Sequence, residues 1–188
     1  MRCFVAVDLP DDVRAAVAAV QADARAAAPR ADVAWVDPAK LHLTLKFLGE
    51  VADDAMTDVR AALEAVACRH EPFATAAGAT GQFPSGPRPR VLWVGLTAGL
   101  REIGLLAAEV ERAYLPLGFP LDARLFRGHI TIGRARSPRG IARAVAALAS
   151  APGDLGSWTV RDVVLYRSHL HGARGSLYEP LARIALGG

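Results

Sequence analysis

Two short segments of the sequence repeat one histidine-containing pattern that suits acid–base chemistry. The first lies in the run LHLTLKFL and carries His42 and Thr44, and the second lies in GHITIGR and carries His129 and Thr131. With five histidines and seven threonines in the chain, chance predicts only about 0.2 H-x-T tripeptides. The repetition therefore indicates two equivalent structural positions, against the alternative of ordinary polar residues on exposed strands.

Two imidazoles facing one groove would suit the cleavage of a phosphodiester. Because an unperturbed imidazole titrates near pH 6.5, one ring can be neutral while the other is protonated. The neutral ring accepts a proton from the attacking hydroxyl or water, the protonated ring donates one to the leaving alkoxide, and each role contributes about 10²–10⁴-fold in rate. Threonine hydroxyls and an arginine can bind the phosphate oxygens. The pair therefore predicts a metal-free reaction at phosphorus.

The alternation of side chains along a strand predicts where these groups point. Residues i and i+2 share a face, so His42, Thr44 and Lys46 are expected on one face of the first segment. The opposite, apolar face is expected to pack under helices and to carry Leu41, Leu43, Leu45 and Phe47. In the second segment, His129 and Thr131 are expected to face away from the core.

The elements that must position these residues are a mixture of helices and strands. Amphipathic periodicity predicts helices at 11–28, 53–68, 100–114 and 138–149, the last capped by Ser137 with Pro138 in its first turn. Strand-like runs lie at 3–8, 33–36, 41–48, 72–77, 91–96, 129–134, 158–166 and 177–185, with a long turn at 168–176. Because helices and strands do not alternate strictly, we expect an α+β fold with antiparallel sheet.

Composition limits the class of protein. With 188 residues, 52% of them hydrophobic, the chain is expected to form a single domain over residues 1–188. Its apolar stretches fall far short of the roughly 18 residues that span a bilayer, so no membrane partner is expected. Cys3 and Cys68 lie far apart and suggest two buried, reduced thiols in the cytoplasm, against the alternatives of a disulfide or a metal site. His169 and His171 have no carboxylate or thiolate nearby in the sequence, so no metal and no other cofactor is expected.

Charge is distributed unevenly between the two halves of the chain. Residues 1–94 carry a net charge of −2 and residues 95–188 a net charge of +5, with five arginines between Arg124 and Arg139. A basic half is compatible with a phosphate-bearing partner, and a solvated arginine-rich surface is the alternative.

The sequence also resembles a known family at these positions. The extended segments RCFVAVDLP, LHLTLKFLGEV, FPSGPRPRVLWVGL, FRGHITIGR and WTVRDVVLYRSHL are similar to the two-histidine (2H) phosphoesterases of the LigT type, the RNA 2′,3′-cyclic phosphodiesterases formerly called 2′-5′ RNA ligases. The resemblance covers nearly the whole chain. It implies two pseudo-symmetric, intertwined lobes whose antiparallel sheets line a central groove, with helices packed outside.

The resemblance also implies roles for individual residues. His42 and His129 would be the two catalytic histidines that open a terminal 2′,3′-cyclic phosphate to a 2′-phosphate, one as proton donor and one as proton acceptor. We assign His42 as the donor and His129 as the acceptor, with the reverse assignment as the alternative. Thr44, Thr131 and Arg134 would hold the phosphate. Strict alternation would point Arg134 to the core side, so we expect the strand to end or bulge at about Gly133.

Further residues are candidates for the groove lining, and other functions stay open. Lys46 could contact an RNA phosphate, with a solvated lysine as the simpler alternative, and Phe126 and Tyr178 could line the groove, with core packing as the alternative. The expected partner is an RNA 3′ end bearing a 2′,3′-cyclic phosphate, acted on by a monomer. The alternatives are 2′-5′ RNA ligation, turnover of small cyclic nucleotides, and a non-catalytic module that binds RNA ends.

Overall fold

The helices form where the apolar periodicity predicts them. The computed structural model describes residues 1–170 and 176–187, and in this part of the chain the helices are α1 (Asp11–Ala27), α2 (Met56–Ala67), α3 (Leu100–Tyr114) and α4 (Ile141–Ala149). In α1, two aspartates occupy the first turn, and Val13, Val17 and Val20 form the buried stripe. Similar stripes bury one face of the other three helices.

The strands make one antiparallel sheet that curls strongly. Their bounds are β1 (Arg2–Asp8), β2 (Val33–Trp35), β3 (His42–Glu50), β4 (Phe73–Phe83), β5 (Val91–Ala98), β6 (His129–Ala135), β7 (Ser157–Val160), β8 (Asp162–Leu170) and β9 (Ser176–Ala185). The order across the sheet is β7-β4-β5-β6-β3-β1-β8-β9, and β2 pairs with the far end of β6. The expected α+β class is therefore confirmed.

The two H-x-T strands lie next to each other at the centre of the sheet. β3 pairs with β6 in antiparallel fashion, and Leu43 lies opposite Ile130. Each of these residues directly follows the histidine of its own segment, so a pseudo-two-fold axis between them relates the two halves. On one side of the axis follow β5, β4 and β7, and on the other side follow β1, β8 and β9.

The helices cover one face of the sheet, and they cross between the halves. α1 follows β1 in the sequence but packs with α4 and against β6, whereas α3 follows β5 but packs with α2 and against β3. Leu43 and Ile130 point into this covered face and are buried. The opposite face, which carries the two histidines, is called the groove face below.

Two predicted boundaries were wrong. The run 158–166 forms two strands, because the strand is interrupted at Arg161. β7 pairs with β4 at one end of the sheet, and β8 pairs with β1 in the other half. The last helix begins at Ile141, after Gly140 at a φ of 72°, and Ser137 caps only a turn by accepting a hydrogen bond from the backbone N–H of Arg139. Most of the predicted turn at 168–176 lies outside the described residues.

Two simpler expectations concern membrane helices and cysteines. No helix in the described residues is long and apolar enough to cross a bilayer. Both cysteines are free thiols, and Cys3 lies in the core as expected. The expectation of burial was wrong for Cys68, which is exposed just after the end of α2.

Candidate active site

The register of the central strand pair brings the two H-x-T segments together in a crossed arrangement. Leu43 lies opposite Ile130, so continuing the antiparallel register places His42 opposite Thr131 and Thr44 opposite His129. Opposed residues share a face, and diagonal neighbours in such a pair lie about 7–8 Å apart. The two imidazoles therefore occupy diagonal positions over one hollow, with a threonine beside each.

Hydrogen bonds fix the orientation of the first imidazole. Nδ1 of His42 lies 2.8 Å from the carbonyl oxygen of Lys40. Because a carbonyl only accepts, Nδ1 donates, and Nε2 is the nitrogen that can exchange a proton. Nε2 lies 3.0 Å from the hydroxyl oxygen of Thr44. The ring is flanked by Phe4, at 4.9 Å between centroids, and by Tyr178, at 5.3 Å in an edge-on arrangement.

The second imidazole is held in the same way. Nδ1 of His129 donates to the carbonyl oxygen of Arg127 at 2.7 Å, again two residues earlier in the chain. Phe83 lies edge-on to the ring at 5.1 Å between centroids, and Trp93 lies at 6.3 Å. Both histidines thus present Nε2 to the groove from an aromatic setting, as the pseudo-two-fold axis requires.

This setting favours neutral rings. Burial lowers the pKa of His42 and of His129 below the usual 6.5, because desolvation disfavours the charged form. The positive charge of Arg134 lowers both pKa values further. Burial raises the pKa of Tyr178, and the charge of Arg134 opposes this rise. The positive charge of Arg134 therefore acts on both imidazoles.

Arg134 reaches the groove because β6 bulges. The β5–β6 register pairs Leu92 with Gly133 but Trp93 with Thr131, so β6 carries one extra residue at Ile132. Ile132 and Gly133 are both buried, and Arg134 is exposed. The bulge predicted near Gly133 is confirmed. Within the described residues, no carboxylate pairs with Arg134.

Two features of the neighbouring elements support this bulge. The buried side chain of Gln21, on α1, donates to the carbonyl oxygen of Ile132 at 2.7 Å. A Cβ at position 133 would come within 2.8 Å of Val33 and 3.0 Å of Trp35, so β2 packs against the bare backbone of Gly133.

The expectation for Lys46 was wrong. The β1–β3 register pairs Val5 with Lys46 but Ala6 with Thr44, so β3 also bulges, at Leu45. The bulge turns Lys46 to the helix side, where it is 4% exposed and its Nζ donates to Glu111 at 2.6 Å and to the carbonyl of Pro120 at 2.9 Å. Lys46 therefore does not line the groove.

The same bulge corrects the expectation for Phe47. This residue was expected in the core, yet it is 65% exposed. It pairs with Phe4 in the register, at 6.0 Å between ring centroids. The groove face therefore carries an exposed aromatic ring beside Phe4, which in turn contacts His42.

The two other residues considered for the groove lining, Tyr178 and Phe126, differ in position. Tyr178 lies against His42 and Phe4, as a groove-lining residue should. Phe126 is half-buried and packs against the core, which matches the alternative considered for it. The sequence interpretation missed Phe4 and Phe83. Alternation in the first strand puts Phe4 on the other face from Cys3 and Val5. This pattern could have indicated that Phe4 lies on the groove face.

Metal-ligating side chains do not gather in the described part of the chain. No group of three or more among its His, Cys, Asp and Glu residues could hold an ion. The expectation that His169 lacks a carboxylate neighbour was wrong, because its Nε2 lies 2.7 Å from Glu179 on the paired strand. His171 lies outside the described residues.

Comparison with known proteins gives the same family for both halves of the chain. The family model of LigT-like phosphoesterases matches twice, over residues 7–93 and residues 94–177. An RNA 2′,3′-cyclic phosphodiesterase of Archaeoglobus fulgidus is 34% identical over 96% of this chain and 98% of that protein. One of Geobacillus stearothermophilus is 36% identical over 97% of this chain. The chain spans about half the length of that relative, at 56%, and its match to an Aquifex aeolicus relative covers 55% of that protein.

Solved structures extend the likeness to the whole fold. The crystal structure of TT0787 of Thermus thermophilus has a TM-score of 0.81 and 31% identity, covering 100% of this chain and 99% of that one. The crystal structure of E. coli LigT complexed with 3′-AMP has a TM-score of 0.73 and 30% identity, covering 100% and 98%. Since the family model and the relatives both cover nearly all of the described elements, the chain belongs to the family of LigT-like phosphoesterases.

Proposed function

We propose that this protein hydrolyses the terminal 2′,3′-cyclic phosphate of RNA to a 2′-phosphate. The observation that carries the proposal is the crossed pair of H-x-T segments, with the Nε2 atoms of two imidazoles facing one hollow and the positive charge of Arg134 acting on both rings. Relatives over nearly the full chain bear the name RNA 2′,3′-cyclic phosphodiesterase, which supports this choice of substrate.

In the proposed reaction, His129 acts as base and His42 as acid. A water oxygen attacks phosphorus, and Nε2 of His129 takes the proton of that water. The bond between phosphorus and the ribose 3′-oxygen breaks, and Nε2 of protonated His42 gives its proton to that oxygen. The products are a 2′-phosphomonoester and a free 3′-hydroxyl. Both histidines then exchange protons with solvent and return to their starting forms.

The phosphate is proposed to lie between the two rings, held by Thr44, Thr131 and Arg134. An unpaired guanidinium in a partly desolvated hollow favours an anion there, and it opposes the extra negative charge of the five-coordinate transition state. The threonine hydroxyls can donate to the non-bridging oxygens. The nucleobase is proposed to contact the exposed ring of Phe47, because a base stacks well on an aromatic side chain.

The setting of the reaction is also part of the proposal. Both cysteines are free, which fits a reducing compartment, and we propose that the enzyme works in the cytoplasm on RNA 3′ ends.

One assay tests the proposal directly. The purified protein is incubated with EDTA and an oligoribonucleotide ending in a 2′,3′-cyclic phosphate, and the product is identified. We expect complete conversion to a 2′-phosphate. Unchanged substrate with measurable affinity would favour a binding module, joining to a second 5′-hydroxyl strand would favour ligation, and turnover of mononucleotides alone would favour a small-molecule enzyme.

A further inference from the structure

The two H-x-T segments are equivalent in register, but their neighbouring strands differ at one position. On β1, Asp8 lies directly opposite His42. On β5, the strand that the pseudo-two-fold axis relates to β1, Gly95 lies directly opposite His129. Opposed residues in an antiparallel pair project to the same face. A carboxylate therefore accompanies His42, and the equivalent place beside His129 has no side chain.

The carboxylate of Asp8 is fixed in place by groups from two further strands. The hydroxyl of Tyr166, on β8, donates to Oδ1 of Asp8 at 2.7 Å, and the guanidinium of Arg183, on β9, bonds Oδ2. Arg183 also bonds Asp162 at the start of β8. One cation thus serves two carboxylates, and the cluster keeps a net negative charge next to the first histidine.

Other groups around His42 act in the opposite direction or are uncharged. Arg134 and His129 face the ring from β6, and Tyr178 faces it from β9. Thr44 and the carbonyl of Lys40 supply its hydrogen bonds. Among these groups in the described part of the chain, Asp8 is the one that brings a negative charge to the ring.

We propose that Asp8 is a positioning residue that assigns the acid role to His42, by favouring the protonated ring at one of two otherwise equivalent sites. The assignment rests on the proposed function, in which one imidazole must be protonated and the other neutral. The electrostatics agree with the geometry: Asp8 raises the pKa of His42 against the larger lowering by burial, and no carboxylate of the described residues acts on His129.

The direct test follows the titration of each imidazole by NMR in the full chain without substrate. In Asp8→Asn, the shape and the Tyr166 contact are retained while the charge is lost, and we expect His42 to titrate about half a pH unit lower. His129 is expected to titrate as in the wild type. The matched control is Asp162→Asn, which removes the other carboxylate of Arg183, and we expect it to leave His42 close to its wild-type value.

A second variant, which should shift the titration of His42 in the opposite direction, keeps the test decisive if Asp8→Asn folds poorly. Arg183→Gln removes the cation that partly neutralises Asp8, so His42 is expected to titrate at higher pH. A general loosening of the fold would not move the two variants in opposite directions. If His42 titrates at one pH in the wild type, Asp8→Asn and Arg183→Gln, the proposal is wrong.

Kinetics supply the second readout. With a cyclic-phosphate substrate, Asp8→Asn is expected to lose about threefold in kcat/KM at pH 8, which is the full effect of a half-unit shift in the acid, and to lose less at pH 5.5, where more of His42 stays protonated. Equal losses at both values would contradict a role through protonation. Failure of the wild type to open the cyclic phosphate would overturn the proposed function and leave the NMR result standing.

Discussion

Each imidazole in the groove is prepared for proton transfer by a backbone carbonyl two residues before it. Lys40 and Arg127 accept from Nδ1 of His42 and His129, which fixes the tautomer and leaves both Nε2 atoms for substrate. Because this bond comes from the backbone, its formation depends on the local turn and not on the type of the residue at position 40 or 127.

Replacing either histidine should remove catalysis while leaving the fold. We expect His42→Ala and His129→Ala each to lower kcat by about 10²–10⁴-fold, because each deletes one proton-transfer group. The measurement is turnover of the cyclic-phosphate oligonucleotide, with circular dichroism to verify folding. His70→Ala, at the end of α2 and away from the groove, is the matched control and should keep wild-type activity. A catalytic variant within tenfold of wild type would remove that histidine from the mechanism.

The lowered pKa values set the pH dependence. For kcat/KM, which reports the free enzyme, activity requires one protonated and one neutral imidazole and is bell-shaped. Both pKa values lie below 6.5, so a protonated ring becomes scarce as the pH rises through neutrality. We therefore expect the maximum of kcat/KM below pH 6.5. Bound phosphate adds a negative charge, so the maximum of kcat should lie higher. A maximum of kcat/KM above pH 7 would contradict this electrostatic account.

The sequence predicted the chemical pairs but not their surroundings, for a physical reason. His42 and Thr44 are two residues apart on one strand, so alternation alone places them together. The contacts of Phe4 and Phe83 with the rings depend on the register of strands distant in the sequence, and one sequence does not reveal that register.

At the scale of single elements, a bulge in each central strand decides what faces the groove. Alternation predicted β3 correctly up to Leu45 and failed for Lys46 and Phe47, because one extra residue exchanges the faces of the residues that follow it, until a second register shift at Leu48. Lys46 enters the helix side and Phe47 leaves it, against their ordinary preference for solvent and core. In β6 the same kind of bulge was predictable, because Arg134 would otherwise have pointed into the core.

The buried Lys46–Glu111 pair should respond unequally to removal of its two partners. Lys46 is almost inaccessible, whereas the Glu111 side chain is 19% exposed, so water can solvate the carboxylate but not the ammonium. We expect Glu111→Ala to lower the free energy of unfolding by about 3 kcal/mol, since it strands a buried charge. Lys46→Met should cost about 1 kcal/mol, because an apolar side chain of similar length fills the space. Urea denaturation monitored by circular dichroism measures both.

This comparison also tests the description of the bulge. If Lys46 were a solvated groove residue, both substitutions would change stability by less than about 0.5 kcal/mol, as exposed positions usually do. Glu111→Gln keeps a hydrogen-bonding side chain for Lys46 and should fall between the other two variants. Equal, small effects of all three would contradict the buried position of Lys46.

At the scale of the whole molecule, the pseudo-two-fold axis explains why the chain carries its pattern twice. Each half supplies one H-x-T strand, and the family model matches each half separately. The sequence indicated this relation through the repeated pattern. It did not indicate that α1 and α3 cross between the halves, or that the strand run is interrupted at Arg161, so that β7 lies at one end of the sheet and β8 lies beside β1 in the other half. Both features depend on non-local pairing.

Charge is distributed unevenly along the chain, and this asymmetry should be visible in the salt dependence. The second half of the chain carries a net charge of +5 and the first half −2. Arg127, two residues before the start of β6, is exposed, and within the described residues it pairs with no carboxylate. An RNA strand that leaves the groove on this side would release counterions from the phosphates that contact the protein. Each phosphate contacted steepens the fall of log affinity with log salt by about 0.7.

We therefore expect kcat/KM for a cyclic-phosphate oligonucleotide to fall more steeply with salt than that for a 2′,3′-cyclic mononucleotide, which has one phosphate. Arg127→Ala should flatten the oligonucleotide slope by about 0.7 and leave the mononucleotide slope unchanged, because its carbonyl, not its side chain, holds His129. Arg60→Ala, on α2 and paired with Glu64, is the control and should alter neither slope. Equal slopes for the two substrates would mean that the enzyme binds only the terminal nucleotide, and that the basic half of the chain has no part in binding RNA.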